Sequence, residues 1–303
     1  MEINHNIRAM VTQHSMFTNN NAMSKSLEKL STGLKINRAQ DDAAGLAMSE
    51  QMRSQIRGLG KAKENALNGI GALQIAEGGL AEITNLIQRQ RELAIQSAND
   101  TLTSTERNYL NDEFQSLTKE IGRIASSTDY NGKNMLVNGP SSGRNANTAF
   151  GSTNTSYTLH VGPNYSLNGN KYYNEIPVTY TSIDATSTGN GSFNVLIAGT
   201  TLQTLTIATQ NGATKAIDKL AGALKEVSGA RAAIGTYINR LEFSINNIAN
   251  LEFNTQDAES RIRDTDFAKE TTNFTRNQIM VQASVSMLAQ ANSLPQAVLG
   301  LLG

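Results

Sequence analysis

Two long stretches of this sequence repeat apolar residues at alternating steps of three and four, which is the spacing of a helical seam. The first covers residues 52–94 and is interrupted by Lys63 and Gln90. The second covers residues 217–251, and Arg231 is its polar member. This period is typical of coiled coils and helical bundles. The sequence therefore predicts two long helices that pair with each other.

Six glycines lie within the first of these stretches, and each costs about 1 kcal/mol relative to alanine in a helix. One interpretation is that they divide the stretch into several short helices. The apolar seam keeps its phase across all six, which favours one continuous helix stabilised by closely packed neighbours. These glycines are Gly58, Gly60, Gly69, Gly71, Gly78 and Gly79.

Another helix and then a β-like segment are predicted between the two seams. Thr103 and Glu106 have capping-box spacing, which marks a helix start. From about residue 138 to 213 the chain is rich in Thr, Ser, Asn and Gly, and short runs alternate apolar and polar residues as strands do. We predict hairpins there, since so short and turn-rich a segment cannot build a large sheet domain. The predicted strands contain Tyr157/Leu159/Val161, Ile176/Val178/Tyr180, Phe193/Val195/Ile197 and Leu205/Ile207.

These patterns together indicate a mainly α fold. We predict that the N- and C-terminal segments form a long antiparallel coiled coil or helical bundle. A small β-rich hairpin region is expected in the middle of the chain, at the far end of that bundle.

The outer parts of the chain carry narrower apolar stripes, with Asn, Gln, Ser and Thr on their other faces. Neither part can bury enough apolar surface alone to offset the entropy lost on ordering. They can do so by pairing with each other or with neighbouring copies, and contacts between different patches on successive copies build an open helical filament. The candidate subunit-contact residues are Met16, Met23, Leu27, Leu30 and Leu34, then Phe267, Phe274, Val281, Val285 and Leu288.

The segment LPQAVLGLLG at residues 294–303 is apolar and carries no charge. Pro295 is expected to end the last helix near Ser293, because the residue before a proline disfavours the helical conformation. We expect the apolar residues beyond it to contact neighbouring copies. These further candidate contacts are Val298, Leu299, Leu301 and Leu302.

Residues that carry chemistry are sparse. The three histidines have no two-ligand spacing, there is no cysteine, and no phosphate-binding loop or nucleophile motif is present. The paired acids Asp41 and Asp42 are the best carboxylate candidate, although acids also favour a helix start. We therefore expect no enzyme, metal or cofactor. A net charge of +0 argues against nucleic-acid or membrane partners, and neither a Sec-type leader nor a membrane span is expected.

Long motifs at both ends resemble those of bacterial flagellins. They are LEKLSTGLKINRAQDDAAGLAMSEQMRSQIRGL at residues 27–59, QRQRELAIQSAND at 88–100 and DYNGKNML at 129–136, with SRIRDTDFAKETTNFTRNQIMVQASVSMLAQANSLPQAVLGLLG at 260–303. LHVGPN, at residues 159–164, is similar to the β-hairpin of the family.

The resemblance implies a self-assembling subunit of the flagellar filament, used for swimming. It implies an inner channel domain of residues 1–40 with 262–303, a helical rod of 41–137 with 214–261, and a short solvent-facing β-rich segment of 138–213. Asp41 and Asp42 join the candidate subunit contacts. The family is exported unfolded by the flagellar type III apparatus, without a cleaved signal peptide, and polymerises at the distal tip outside the cell.

Further partners follow from the same resemblance. They are an export chaperone that holds the C-terminal helices, the hook-associated junction and filament cap proteins, and a Toll-like receptor of animal hosts. Without the resemblance, RQRELAIQ at residues 89–96 indicates only a solvated helix face with local ion pairs. The receptor-facing positions that the resemblance implies are Gln88, Arg89, Leu93 and Glu113.

Two alternatives have features in common with these patterns. A hook–filament junction protein has similar terminal helices, but RELAIQSAN and the LAQAN…PQ run favour a flagellin. A secreted adhesin or enzyme with coiled-coil ends would need a binding or catalytic domain in the middle, and the turn-rich segment offers little room for one.

Overall fold

The computed structural model describes residues 6–137, 154–163, 174–181, 183–188, 192–197, 200–202 and 204–302. It forms a mainly helical molecule with small antiparallel hairpins in the middle of the chain, as predicted. The helices are α1 (Ile7–Thr32), α2 (Ala43–Ser97), α3 (Ser104–Ser127), α4 (Gln210–Arg263) and α5 (Phe267–Leu302). The strands are β1 (Asp129–Tyr130), β2 (Lys133–Asn134), β3 (Asn154–His160), β4 (Glu175–Thr181), β5 (Ile183–Thr188), β6 (Ser192–Ile197) and β7 (Thr200–Thr201).

The chain divides into two compact units. The terminal unit comprises Met1–Ile56 with Phe253–Gly303, and the central unit comprises Arg57–Glu252. The main apolar core lies in the central unit, where the seam residues of α2 and α4 pack with α3. Its largest fully buried side chains include Leu73, Leu80, Ile83, Ile87, Phe114 and Ile121.

The α2 helix is continuous over 55 residues, so the interpretation of one unbroken helix is confirmed. Three of its glycines lie where another element approaches closely. A Cβ added to Gly58 would lie 3.1 Å from the carbonyl oxygen of Pro163, and one added to Gly69 would lie 2.6 Å from Leu159 Cδ1. One added to Gly79 would lie 2.8 Å from Thr128 Oγ1. At these positions glycine gives up helix propensity in exchange for close packing.

In the central unit α2 and α4 are antiparallel. Leu59, early in α2, packs with Ile248, late in α4. Further along α2, Glu77 Oε1 accepts from Arg231 Nη2 at 2.7 Å. Arg231, the polar member of the second seam, is therefore paired with a carboxylate on α2, the helix that carries the first seam.

The β3–β4 hairpin packs along the side of α2, so the expectation that the hairpins lie at the far end of the bundle is wrong for this pair. Leu159 of β3 lies against Gly69, while Val178 and Tyr180 of β4 are buried in the core. The Tyr180 hydroxyl donates to the carbonyl of Met135, and burial raises the pKa of this phenol. Glycines on the helix make room for this packing.

The predicted strand at Leu205 and Ile207 is also wrong, because these residues form an irregular segment before α4. Side chains of α3 form hydrogen bonds with the backbone groups of this segment. Gln115 donates to the carbonyl of Leu205 at 2.7 Å, and Asn111 Oδ1 accepts from the Ile207 amide at 3.0 Å. Ile207 is buried. The alternating apolar pattern of this segment therefore reflects its burial and not its pairing as a strand.

In the terminal unit α1 and α5 pair antiparallel. Asn6 donates to the carbonyl of Ala291, and Asn19 donates to Ser284 Oγ. Gly33, at φ +72°, ends α1, and Leu34 then forms a β-bridge with Asp264. The bridge joins the end of α1 to the break between α4 and α5.

The expectation that Pro295 ends the last helix is wrong, because α5 continues to Leu302. A proline inside a helix removes one backbone hydrogen bond but does not necessarily break the helix. The side chains of residues 294–303 lie outside the description, and so do the expected contacts of Val298, Leu299, Leu301 and Leu302.

Candidate subunit-contact surface

The pair of α1 and α5 buries few of its apolar side chains. Ile36 is the one large apolar residue that is fully buried among the described side chains of the terminal unit. Of the candidate contacts, Leu27, Phe267 and Val285 are exposed. The others are half-buried along the seam: Met16, Met23, Leu30, Leu34, Phe274, Val281 and Leu288. The two helices therefore leave a large part of their apolar surface uncovered.

The buried positions between α1 and α5 are occupied by small polar residues. Ser26 and Ser284 are both buried, and the Ser284 hydroxyl donates to the carbonyl of Met280 in its own helix. Small side chains allow the helices to approach closely, but they bury little apolar area. These two serines allow close approach of the helices, and the hydrophobic stabilisation of the pair comes from its half-buried apolar residues.

A second set of apolar side chains lies off the predicted stripes. Phe17 is 63% exposed and Met287 is 63% exposed. Ile7, Val11 and Met287 line a groove between α1 and α5, with a volume of about 380 Å³. These residues could have been identified from the sequence, because they also recur at helical spacing. The set is Ile7, Met10, Val11, Phe17, Ile279, Met280 and Met287.

Ion pairs fix α4 against α2 within the terminal unit. Arg263 Nη1 lies 2.7 Å from Glu50 Oε1, and Arg53 contacts both Glu50 and Glu259. The hydrogen bond from Arg263, helped by Arg53, holds the pKa of Glu50 below its usual range. The sequence patterns did not single out these residues.

Asp41 and Asp42 have local roles at the start of α2. Asp42 Oδ1 accepts from the Gly45 amide at 2.9 Å, as an N-cap does. Asp41 Oδ2 accepts from the amides of Arg38 and Asn37. The Arg38 amide is the main reason that the pKa of Asp41 lies below its usual range. The helix-start interpretation is therefore confirmed for Asp42, whereas Asp41 closes the turn that precedes the helix.

Three of the four positions expected to face the receptor present their side chains to solvent on the central unit. Arg89 donates through Nε and Nη2 to Glu113 Oε1, at 3.1 and 2.9 Å, and Gln88 is exposed beside it. The Glu113 carboxylate, with Glu92, raises the pKa of Arg89. Leu93 differs from these three, because it is 1% exposed and belongs to the core.

Known proteins match this chain over its whole length. The bacterial flagellin N-terminal helical region matches residues 3–139, and the C-terminal helical region matches 217–302. A flagellar filament 33 kDa core protein of Treponema phagedenis is 43% identical over 303 residues, covering 100% of both chains. A flagellin of Halalkalibacterium halodurans is 44% identical over 302 residues, again covering 100% of both. The chain belongs to the bacterial flagellin family.

Membership of the flagellin family makes this chain a structural subunit of the flagellar filament, which serves motility and is extracellular. Flagellins polymerise, and they are structural proteins and not enzymes. A solved structure described as a flagellar hook-associated protein of Vibrio parahaemolyticus has a TM-score of 0.53 at 15% identity. It covers 74% of this chain and 100% of that one, and it shows the fold alone.

Within the part of the chain that the structure describes, no helix is long and apolar enough to cross a membrane. Over the same residues, no group of three His, Cys, Asp or Glu side chains could hold a metal ion.

Proposed function

We propose that the terminal unit is the main polymerisation surface of this flagellin, so that α1 and α5 complete their apolar contacts only between subunits. The exposed apolar side chains on both helices carry this proposal. Such exposure is costly in water, and burial against a neighbouring copy recovers about 25 cal/mol per Å². The seam residues from Met16 to Leu34 and from Phe267 to Leu288, with Asp41, Asp42 and the apolar residues after Pro295, form this contact set.

The proposed layout assigns one role to each part of the sequence. Residues 1–40 with 262–303 form the inner, channel-lining part, and 41–137 with 214–261 form the helical rod around it. Residues 138–213 form the outer, solvent-facing side of this layout, with Val178 and Tyr180 packed inward against the core. Each assignment is supported by the family resemblance, and the first also by the sparse core of the terminal unit.

Phe17→Ser tests the polymerisation surface. It should leave the helix content of the monomer unchanged, because Phe17 is 63% exposed. Loss of its burial between subunits, about 2 kcal/mol, should raise the critical monomer concentration roughly 30-fold. Gln13→Ser, at another exposed position of α1, is the matched control and should polymerise normally. Removal of residues 295–303 should likewise block or weaken polymerisation. Filaments of unchanged stability from both altered chains would contradict the proposal.

Export and capping involve the same exposed surface in this proposal. The subunit leaves the cell unfolded through the flagellar type III apparatus, without a cleaved signal peptide, and polymerises at the distal tip. An export chaperone covers α5 beforehand, and junction and cap proteins contact the ends of the filament. Exposed Ile279, Met280 and Met287 on α5 supply an apolar face for a chaperone. Native mass spectrometry with the chaperone should detect a complex that is lost when residues 267–303 are removed.

A second proposed activity is recognition of the monomer by a host Toll-like receptor. The exposed group of Gln88, Arg89 and Glu113 supports it, because an arginine held by a neighbouring carboxylate is a preorganised contact. Leu93 is proposed to act from the core, by holding α2 in place. Arg89→Ala should weaken receptor activation roughly tenfold, whereas Arg91→Ala, at an exposed position two residues away, should not. Equal potency of the two variants would remove this proposal.

A further inference from the structure

The turn between β1 and β2 consists of an exposed Asn-Gly pair in the left-handed conformation. Asn131 has φ +51° and Gly132 has φ +75°. Asn131 is the one non-glycine residue with positive φ among the described positions. The turn joins Tyr130 directly to its partner Lys133, as a two-residue hairpin loop does.

We propose that Asn131 is a site of spontaneous deamidation in the folded protein. The Gly132 amide nitrogen attacks Cγ of Asn131, a C–N bond forms, and the bond to Nδ2 breaks. The amide proton of Gly132 leaves with Nδ2 as ammonia, which gives a five-membered succinimide. Water then opens either carbonyl and yields aspartate or isoaspartate. The balance is one water consumed and one ammonia released, with no oxidant or metal.

Three features of the turn favour this reaction at Asn131. Gly132 has no Cβ to obstruct the ring, and no atom lies within 4 Å of the position where one would be. Its amide donates to the side-chain carboxylate of Asp129, at 3.2 Å, and a carboxylate can take up the proton that must leave. Asn131 and Gly132 are both exposed, so the water that opens the succinimide can reach it.

Two other Asn-Gly pairs in the described residues lack these features. Gly69, after Asn68, is buried in the middle of α2 with Leu159 against it, and its amide belongs to the helical ladder. Gly212, after Asn211, donates to Thr209 Oγ1 at 3.2 Å. A Cβ there would lie 2.5 Å from the carbonyl oxygen of Thr206. These pairs are controls within the same chain.

Peptide mapping by mass spectrometry tests the inference on the full-length monomer. Samples aged in native buffer and in denaturant are digested, and the amide and acid forms of each Asn-Gly peptide are quantified separately. Because each peptide is quantified separately, the other Asn-Gly pairs of the chain, at 138–139, 168–169 and 190–191, do not contribute to the three measured rates. In native buffer, conversion at Asn131 should exceed that at Asn68 and Asn211 several-fold, with isoaspartate among the products. In denaturant the three rates should converge.

Two results would overturn the inference. One is an Asn131 amide that stays intact in native buffer while it converts in denaturant. The other is conversion at Asn68 or Asn211 as fast as at Asn131 in the folded chain. Asp129→Asn tests the proton acceptor separately: it should slow conversion at Asn131 in the folded protein only. An unchanged folded-state rate would remove Asp129 from the reaction, and polymerisation is not involved in either measurement.

Discussion

At the scale of single residues, the glycines of α2 differ according to what lies beside them. Gly78 and Gly79 are neighbours in sequence, but they lie on different faces of α2. A Cβ on Gly78 would have no atom within 4 Å. One on Gly79 would lie 2.8 Å from Thr128 Oγ1 and 2.9 Å from Leu136 Cδ1. Only the second glycine is needed for packing within the monomer.

This difference gives a paired prediction for monomer stability. Gly78→Ala should raise the free energy of unfolding by about 1 kcal/mol, because alanine has the higher helix propensity. Gly79→Ala has the same gain in helix propensity, but overpacking costs about 1–3 kcal/mol. Its net effect should be to lower the free energy of unfolding by about 1 kcal/mol. Urea denaturation of the monomer measures both. Similar stabilisation by the two substitutions would show that Thr128 and Leu136 move aside at little cost.

Polar interruptions of the seams could be located from the sequence, but their partners could not. Gln90 is fully buried, and its Nε2 donates to the carbonyl of Phe114 and to Thr118 Oγ1. These acceptors lie on α3, 24 and 28 residues further along the chain. A 3.5-residue period indicates which face of a helix is buried, but it carries no information on which helix covers that face.

At the scale of elements, the start of α3 was predicted in detail because a capping box is a local motif. Thr103 Oγ1 accepts from the Glu106 amide, and the Glu106 carboxylate accepts from the Thr103 amide at 2.7 Å. The latter bond is the largest cause of the lowered pKa of Glu106. A lowered pKa stabilises the fold above the usual pKa of a glutamate, and the effect is lost as pH falls through the lowered value.

Glu106→Gln should therefore lower the free energy of unfolding at neutral pH, with a difference from the parent that closes in acid. Glutamine can still reach the Thr103 amide, so the charge is the main change. Urea denaturation over a pH series measures the difference, and Glu82→Gln, at an exposed position in α2, is the control. A gap between Glu106→Gln and the parent that stays constant down to low pH would contradict this role.

Elements defined by local spacing were predicted well, and elements defined by distant contacts were not. Four of the expected features could be predicted from the spacing of nearby residues: the continuous α2, the α3 cap, and the strands β3 and β4. The segment at Leu205 and Ile207 alternates like a strand, but Asn111 and Gln115 of α3 satisfy its backbone. Likewise, Pro295 lowers helix propensity without ending α5. Tertiary context determines such cases.

At the scale of the whole molecule, apolar burial is unevenly distributed between the two units. The residues of the main core all fall between Ala66 and Leu241, inside the central unit. Ile36 is the fully buried large apolar side chain that the described terminal unit contributes. Local opening requires least free energy where few apolar contacts are broken. The monomer should therefore combine a stable centre with terminal helices that open readily.

Limited proteolysis of the monomer should reveal this difference. Cleavage should begin in α1 and in α5, and the helices between Arg57 and Ser127 and between Gln210 and Glu252 should persist as protected fragments. Cleavage follows the population of the open form when opening is fast, and polymerisation should suppress it by burying the same helices between subunits. Peptide mapping of monomer and filament at equal protease concentration checks both parts. Termini that resist as long as the central helices in the monomer would contradict the unequal stability, and termini cut equally fast in the filament would contradict their burial there.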